Sequence, residues 1–217
     1  MATTLVIGNK NYSSWSLRPW LLLRHHGVAF EEVRLLLDTP AFPSQVARWS
    51  PSRRVPALHD AGLVVWDSLA ICEYANERWL DGKGWPADIA LRAVARSAAA
   101  EMHSGFGALR SQLPMNVRRQ PRLPHWDAAA DADIARVQEI WHDLRMRSGN
   151  GGPFLCGDHF GIVDAMYAPV CVRFRGYGVP LDATSEAYLR AVFALPAMKE
   201  WEAAALAETE RVASDEA

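Results

Sequence analysis

The chain has 217 residues, 50% hydrophobic and 22% charged, which suits one large or two small folded domains and argues against a disordered chain. Its formal net charge is −2, from 23 Lys+Arg against 25 Asp+Glu, so no basic surface is set aside for nucleic acid or an acidic membrane. No apolar run reaches the length of a membrane span, and the start of the chain has no basic n-region before a hydrophobic stretch, so a cytoplasmic protein is expected.

Thr4–Ile7 is β-branched and aliphatic and ends at a turn-like Gly8, which predicts a buried strand. Ser13, Ser14 and Ser16 offer N-caps for a helix over residues 17–26, closed by Gly27. With Ser16 as the cap, Pro19 falls in the first turn, where its missing N–H costs nothing. Residues 30–37 predict a second strand, so the chain begins as a strand-helix-strand unit. Residues 38–54, with prolines at 40, 43 and 51, predict a loop holding one short helix. Residues 55–58 and Leu63–Trp66 predict an antiparallel hairpin, and Asp67-Ser68 opens a helix over residues 69–79.

Residues 81–86 are a linker by composition. Beyond it, apolar positions from Leu91 to Leu113 keep the 3.6 period of one long helix. Residues 134–144 predict another, and residues 162–174, apolar nearly all round, a central one. Two shorter helices fit residues 185–193 and 197–208, and residues 211–217 read as a frayed end. The expected fold class is α/β followed by all-α: a first domain over residues 1–80, the linker, and a helical domain over residues 87–217.

Two local features carry chemistry. In Arg54-Val55-Pro56 a proline opens a strand that should pair on both sides, although proline removes a ladder donor. Either it is a plain edge-strand proline, or a cis Val55–Pro56 bond turns the Val55 backbone outward to pair with an extended peptide. At Asp67-Ser68, a hydroxyl and free N–H groups at the positive end of a helix suit a carboxylate, and Asp67 suits an ammonium group. Together they suit an α-amino acid head; Ser68 serves equally as a helix cap.

Four elements then carry a resemblance: Tyr12-Ser13-Ser14-Trp15-Ser16-Leu17-Arg18, Val55-Pro56, Asp67-Ser68-Leu69-Ala70-Ile71, and Gly157-Asp158-His159-Phe160-Gly161-Ile162-Val163-Asp164-Ala165. In this order they resemble the cytosolic glutathione transferase family, and the first resembles the zeta class, whose pattern is Ser-Ser-Cys-Ser-x-Arg. The resemblance implies a thioredoxin-like N-terminal domain that binds glutathione as co-substrate, a helical C-terminal domain with an electrophile site, a homodimer and no metal. It makes Ser13 the group that activates the glutathione thiol, with Ser14 and then Tyr12 as alternatives. Arg54, Val55, Pro56, Asp67 and Ser68 would hold glutathione. Tyr12, Trp15, His103, Phe106, Arg110 and Arg173 would line the electrophile site, Phe106 and Arg110 on one face of the first long helix. Conjugation to a small hydrophobic electrophile is the expected reaction. The alternatives are a zeta-type cis–trans isomerase, in which an arginine holds the substrate carboxylate, and a non-catalytic binding module. Trp15 replaces the zeta cysteine, which departs from that isomerase chemistry.

Magnitudes support a serine. A free thiol has pKa ~8.5, so lowering it by about two units takes ~2.7 kcal/mol. One hydroxyl donating to a thiolate contributes roughly 1.5–3 kcal/mol, and a helix N-terminus ~0.3–1 more. Cys72, Cys156 and Cys171 lack metal-ligand spacing, and none lies in the first loop, so all three read as packing. Gly161 stands where the family has a Ser or Thr helix cap; Asp164 is expected to bond back to the Gly161 backbone, with the loss of the cap hydroxyl worth only a few tenths of a kcal/mol.

Overall fold

The computed structural model describes residues 2–121, 126–149 and 151–216. Its elements run β1 (Thr4–Ile7), α1 (Ser14–His25), β2 (Glu31–Arg34), α2 (Phe42–Val46), β3 (Ala57–Asp60), β4 (Leu63–Trp66), α3 (Ser68–Arg78), α4 (Ile89–Ser104), α5 (Gly107–Gln112), α6 (Ala128–Arg147), α7 (Ile162–Tyr177), α8 (Ala183–Ala194) and α9 (Pro196–Ala207). The strands form one mixed sheet in the order β2-β1-β3-β4. β1 pairs with β2 in parallel (Thr4 opposite Glu31) and with β3 antiparallel (Thr4 opposite His59), and β3 pairs with β4 antiparallel. A thioredoxin-like sheet domain is thus followed by a helical domain.

α1 joins the two halves. It packs on α3 within the sheet domain and on α7 and α9 of the helical domain. Its face of Leu17, Trp20, Leu21 and Leu22 is wholly buried because it has protein on every side. α7 is the centre of the second half: every residue in it except Arg175 is buried, as its continuous apolar run predicts. Trp20 and Trp201 meet edge to face across the α1–α9 contact, and the Lys10 ammonium lies 4.9 and 5.5 Å from their rings.

The structure departs from the sequence reading at several points. α1 begins at Ser14 with Ser13 as its cap, so Pro19 lies inside the helix rather than in its first turn. β3 starts at Ala57, which leaves Pro56 outside the ladder and removes the conflict of a proline in a paired strand. The single long helix is two, because Gly105 and Phe106 break it; Phe106 adopts a left-handed conformation (φ 59°) and caps α5. Residues 212–216 are not frayed: Val212 is buried, residues Ala213–Asp215 form a turn of 3-10 helix, and Glu216 bonds Tyr12; residue 217 lies outside the described residues. Arg118, in the loop after α5, binds the Glu208 and Glu210 carbonyls (2.5 and 2.8 Å).

Candidate functional site

The first loop is built from its ends. Ser13 N–H donates to the Asn9 carbonyl (2.8 Å), and its carbonyl accepts from Leu17 N–H (3.1 Å), which sets the start of α1. The Lys10 and Asn11 N–H groups both donate to the carboxylate of Glu208 (2.8 and 3.0 Å), just beyond α9. Gly8 N–H donates to Ser16 Oγ (3.1 Å), and Ser16 Oγ lies 2.7 Å from Ser13 Oγ. The Ser13 hydroxyl therefore does not cap α1; it is paired with Ser16 and lines a cavity of about 490 Å³. Ser14 lines the same cavity, and its hydroxyl takes no partner among the described residues. Tyr12 lines it with its ring, but its hydroxyl points to the end of the chain, accepting from Arg118 (2.6 Å) and bonding Glu216. That removes Tyr12 from the set of free hydroxyl donors.

A second cavity, of about 500 Å³, shares Trp15, Arg54 and Val55 with the first and continues to Pro56, Asp67, Ser68 and His103. The Val55–Pro56 bond is cis. At the far end the cap of α3 is Asp67, not Ser68: its Oδ1 accepts from the Leu69 and Ala70 N–H groups (2.9 and 3.2 Å) while its backbone sits at φ 78°. Ser68 is fully buried, and its Oγ accepts from Arg18 Nη1 at 3.3 Å. Asp67 Oδ2 is 3.2 Å from His103 Nε2.

Beneath the junction of the two cavities lie three arginines. Arg18 is 1% exposed and Arg173 6%. Among the described residues none of Arg18, Arg110 and Arg173 has a carboxylate within 4 Å. Burial, followed by the like charges of Arg110 and Arg173, lowers Arg18 to about 9. Burial, followed by Arg110, lowers Arg173 to about 10, and burial also lowers Arg110. All three stay charged at neutral pH. Their N–H groups go to carbonyls and a hydroxyl: Arg173 to Leu113 (2.6 Å), Arg110 to Gly105 (2.9 Å) and Met102, Arg18 to Ser68. The Arg18 and Arg110 guanidinium carbons lie 4.3 and 4.7 Å from the Trp15 ring centroid, so the tryptophan covers cations that have no carboxylate at ion-pair distance among the described residues.

Of the residues singled out in the sequence, Tyr12, Ser13, Ser14, Trp15, Arg54, Val55, Arg110 and Arg173 line the first cavity. Pro56, Asp67, Ser68 and His103 line the second. Phe106 lines neither; it is buried in the core and caps α5 at the break, so it does not share one long helix face with Arg110. Sequence reasoning missed Leu37, Phe42, Arg53, Pro114, Met115 and Asp215 in the first cavity. Pro114-Met115 directly follows the last apolar position of the predicted helix and was within reach; Asp215 lies in the stretch read as frayed. The cysteines stay structural: Cys72 and Cys171 are buried, and burial pushes Cys156 up to about 12.

The description "Glutathione S-transferase, N-terminal domain" matches residues 12–78, and "Glutathione S-transferase, C-terminal domain" matches residues 90–204. The chain is similar to maleylacetoacetate isomerase of Rattus norvegicus, 24% identical over 171 residues covering 78% of this chain and 76% of that protein. It is similar to a zeta-class glutathione S-transferase of Euphorbia esula, 27% identical over 163 residues covering 72% and 70%. Among solved structures, a glutathione transferase homologue from Burkholderia with bound glutathione superposes with a TM-score of 0.72 at 23% identity, over 96% of this chain and 100% of that one.

Proposed function

The chain belongs to the glutathione S-transferase family, and on that premise we propose that it binds glutathione along the two joined cavities and activates the thiol with a serine hydroxyl. The observation that carries this reading is the placement of Ser13 and Asp67-Ser68 at opposite ends of one cleft with the Val55 backbone between them. The glutamyl ammonium goes to Asp67 and its carboxylate to the α3 N-terminus at Ser68. The peptide runs along Val55, and the sulfur comes to Ser13 and the N-terminus of α1. No general base is needed: the hydroxyl and the helix end together supply roughly the ~2.7 kcal/mol that two pKa units require. Residues 81–86 are the joint between a glutathione-binding and an electrophile-binding domain.

The test is glutathione titration by calorimetry together with thiolate absorbance. Ser13→Ala should leave binding nearly unchanged and raise the pKa of the bound thiol by roughly 1–2 units. If Ser14→Ala does so instead, Ser14 is the donor. Binding without a thiolate in wild type makes the chain a binding module, and no binding at millimolar glutathione removes the reading.

A second reading concerns the co-substrate. Arg110 and Arg173 line the first cavity without an ion-pair partner among the described residues, which favours an electrophile bearing a carboxylate, as a zeta-type isomerase needs. The dimer belongs to the same proposal: β4 is a sheet edge with Leu63 49% and Trp66 47% exposed, a face for a second copy to cover. Sedimentation should then give about twice the 24.1 kDa chain mass.

A further inference from the structure

His103 stands in the last turn of α4, yet its imidazole reaches the start of α3 in the other half of the molecule. Asp67 Oδ1 is committed to capping α3, which leaves Oδ2 as the oxygen free to meet a ligand. His103 Nε2 is 3.2 Å from that oxygen, and both residues line the second cavity beside Ser68. The other ring nitrogen, Nδ1, is buried and has no hydrogen-bond partner among the described residues. A proton there would bury an unsatisfied donor, so the geometry assigns the neutral ring with its proton on Nε2, donated to Asp67. The ring is held edge-on against Trp15, centroids 5.3 Å apart at 80°. The charged groups facing it are Asp67 from α3, Arg18 from α1 and Arg110 from α5. Burial, and then the two arginines, lower its pKa against the opposing pull of Asp67.

We propose that His103 is a positioning residue for the amino group of glutathione: as a neutral donor it fixes Asp67 Oδ2 across the boundary between the two halves without cancelling its charge. The proposal rests on the glutathione reading above. Its consequence is specific to one functional group. A neutral donor leaves Asp67 its full negative charge for the ligand ammonium, whereas an imidazolium would compete with that ammonium for the carboxylate. Recognition of the amino group therefore weakens as pH falls through the His103 titration, while binding of the rest of the tripeptide does not.

The test compares glutathione with γ-glutaryl-cysteinylglycine, the same tripeptide without its amino group, by calorimetry on the full chain. His103→Ala should weaken glutathione binding by about tenfold, the scale of one hydrogen bond to a charged group, and leave the analogue within about twofold. His103→Gln, which keeps an N–H donor at similar reach, should restore glutathione binding and abolish the loss of affinity that wild type shows as pH is lowered below 6.5. Circular dichroism of each variant separates loss of fold from loss of recognition. Equal weakening of both ligands by His103→Ala, no weakening of either, or no rescue by His103→Gln overturns the proposal. If wild type binds glutathione and the analogue equally, the glutathione reading stands and this inference falls. If wild type binds neither at millimolar concentration, both fall.

Discussion

Gly161 shows how far one residue's environment can reverse an argument from local preference. By capping alone, serine should stabilise α7 slightly over glycine. Here a Cβ at residue 161 would lie 2.8 Å from the Gly84 carbonyl oxygen, which is itself fixed by accepting from Ile162 N–H at 2.9 Å. Gly161→Ser should therefore destabilise by ~1–3 kcal/mol, as forced overpacking does, and appear as a lower urea midpoint at unchanged slope. A variant as stable as wild type would show that the residue 84 turn yields. The other half of this cap was legible in the sequence. Asp164 Oδ2 accepts from Gly161 N–H (2.9 Å), and Oδ1 accepts from Leu155 N–H (3.0 Å), a partner the spacing did not reveal. The spacing of Gly161 and Asp164 reports a local bond; it carries no information about a carbonyl 77 residues earlier in the chain.

Elements were legible where their signals are local. Strand Thr4–Ile7, hairpin strand Leu63–Trp66 and the buried α7 follow from β-branching and from apolar character. The α4–α5 break was not, since the apolar period runs straight across Gly105 and Phe106. What starts α5 is remote: the Leu109 N–H donates to Asp133 of α6 at 2.9 Å. α1 ends in a similar long-range contact, and its consequence is a pH dependence. His26 Nε2 lies 3.1 Å from the Phe160 carbonyl oxygen just before α7, and His25 packs against the Phe160 ring. Burial lowers both histidines, His25 to about 4 with the charge of His26 adding. A depressed folded value means the stabilising contribution is present above the unfolded value of ~6.5 and is lost as pH falls toward 4. Thermal melts should show Tm dropping over that window, and His25→Phe should flatten the drop. An unchanged slope in the variant would assign the acid sensitivity elsewhere.

On the scale of the whole molecule, the cleft is assembled from both halves and closed by the end of the chain. The fold class was legible because the change from mixed elements to helices falls at a linker rich in glycine and proline. The positions of Ser13, Asp67 and Ser68 were legible because each sits at a helix start. The arginine cluster was not, since Arg18, Arg110 and Arg173 lie on different helices and only packing brings them together. Nor was Glu208, whose carboxylate satisfies two buried N–H groups of the first loop. Glu208→Ala should cost about 2–4 kcal/mol, because it leaves both donors buried and unpaired. It should also weaken glutathione binding through the loosened loop, measurable by calorimetry at a temperature where the variant is folded. A variant that keeps wild-type stability would mean that water replaces the carboxylate.

That same contact sets an order of events during synthesis. Lys10 leaves the ribosome well before its partner Glu208, which follows 198 residues later. Domains fold largely as they appear, so the sheet half can form while the helical half is still being made. The loop that carries Ser13 must wait until α9 is complete before it is pinned. A growing chain can thus hold a folded first domain and still lack a pinned first loop, which is completed only once Glu208 has been made.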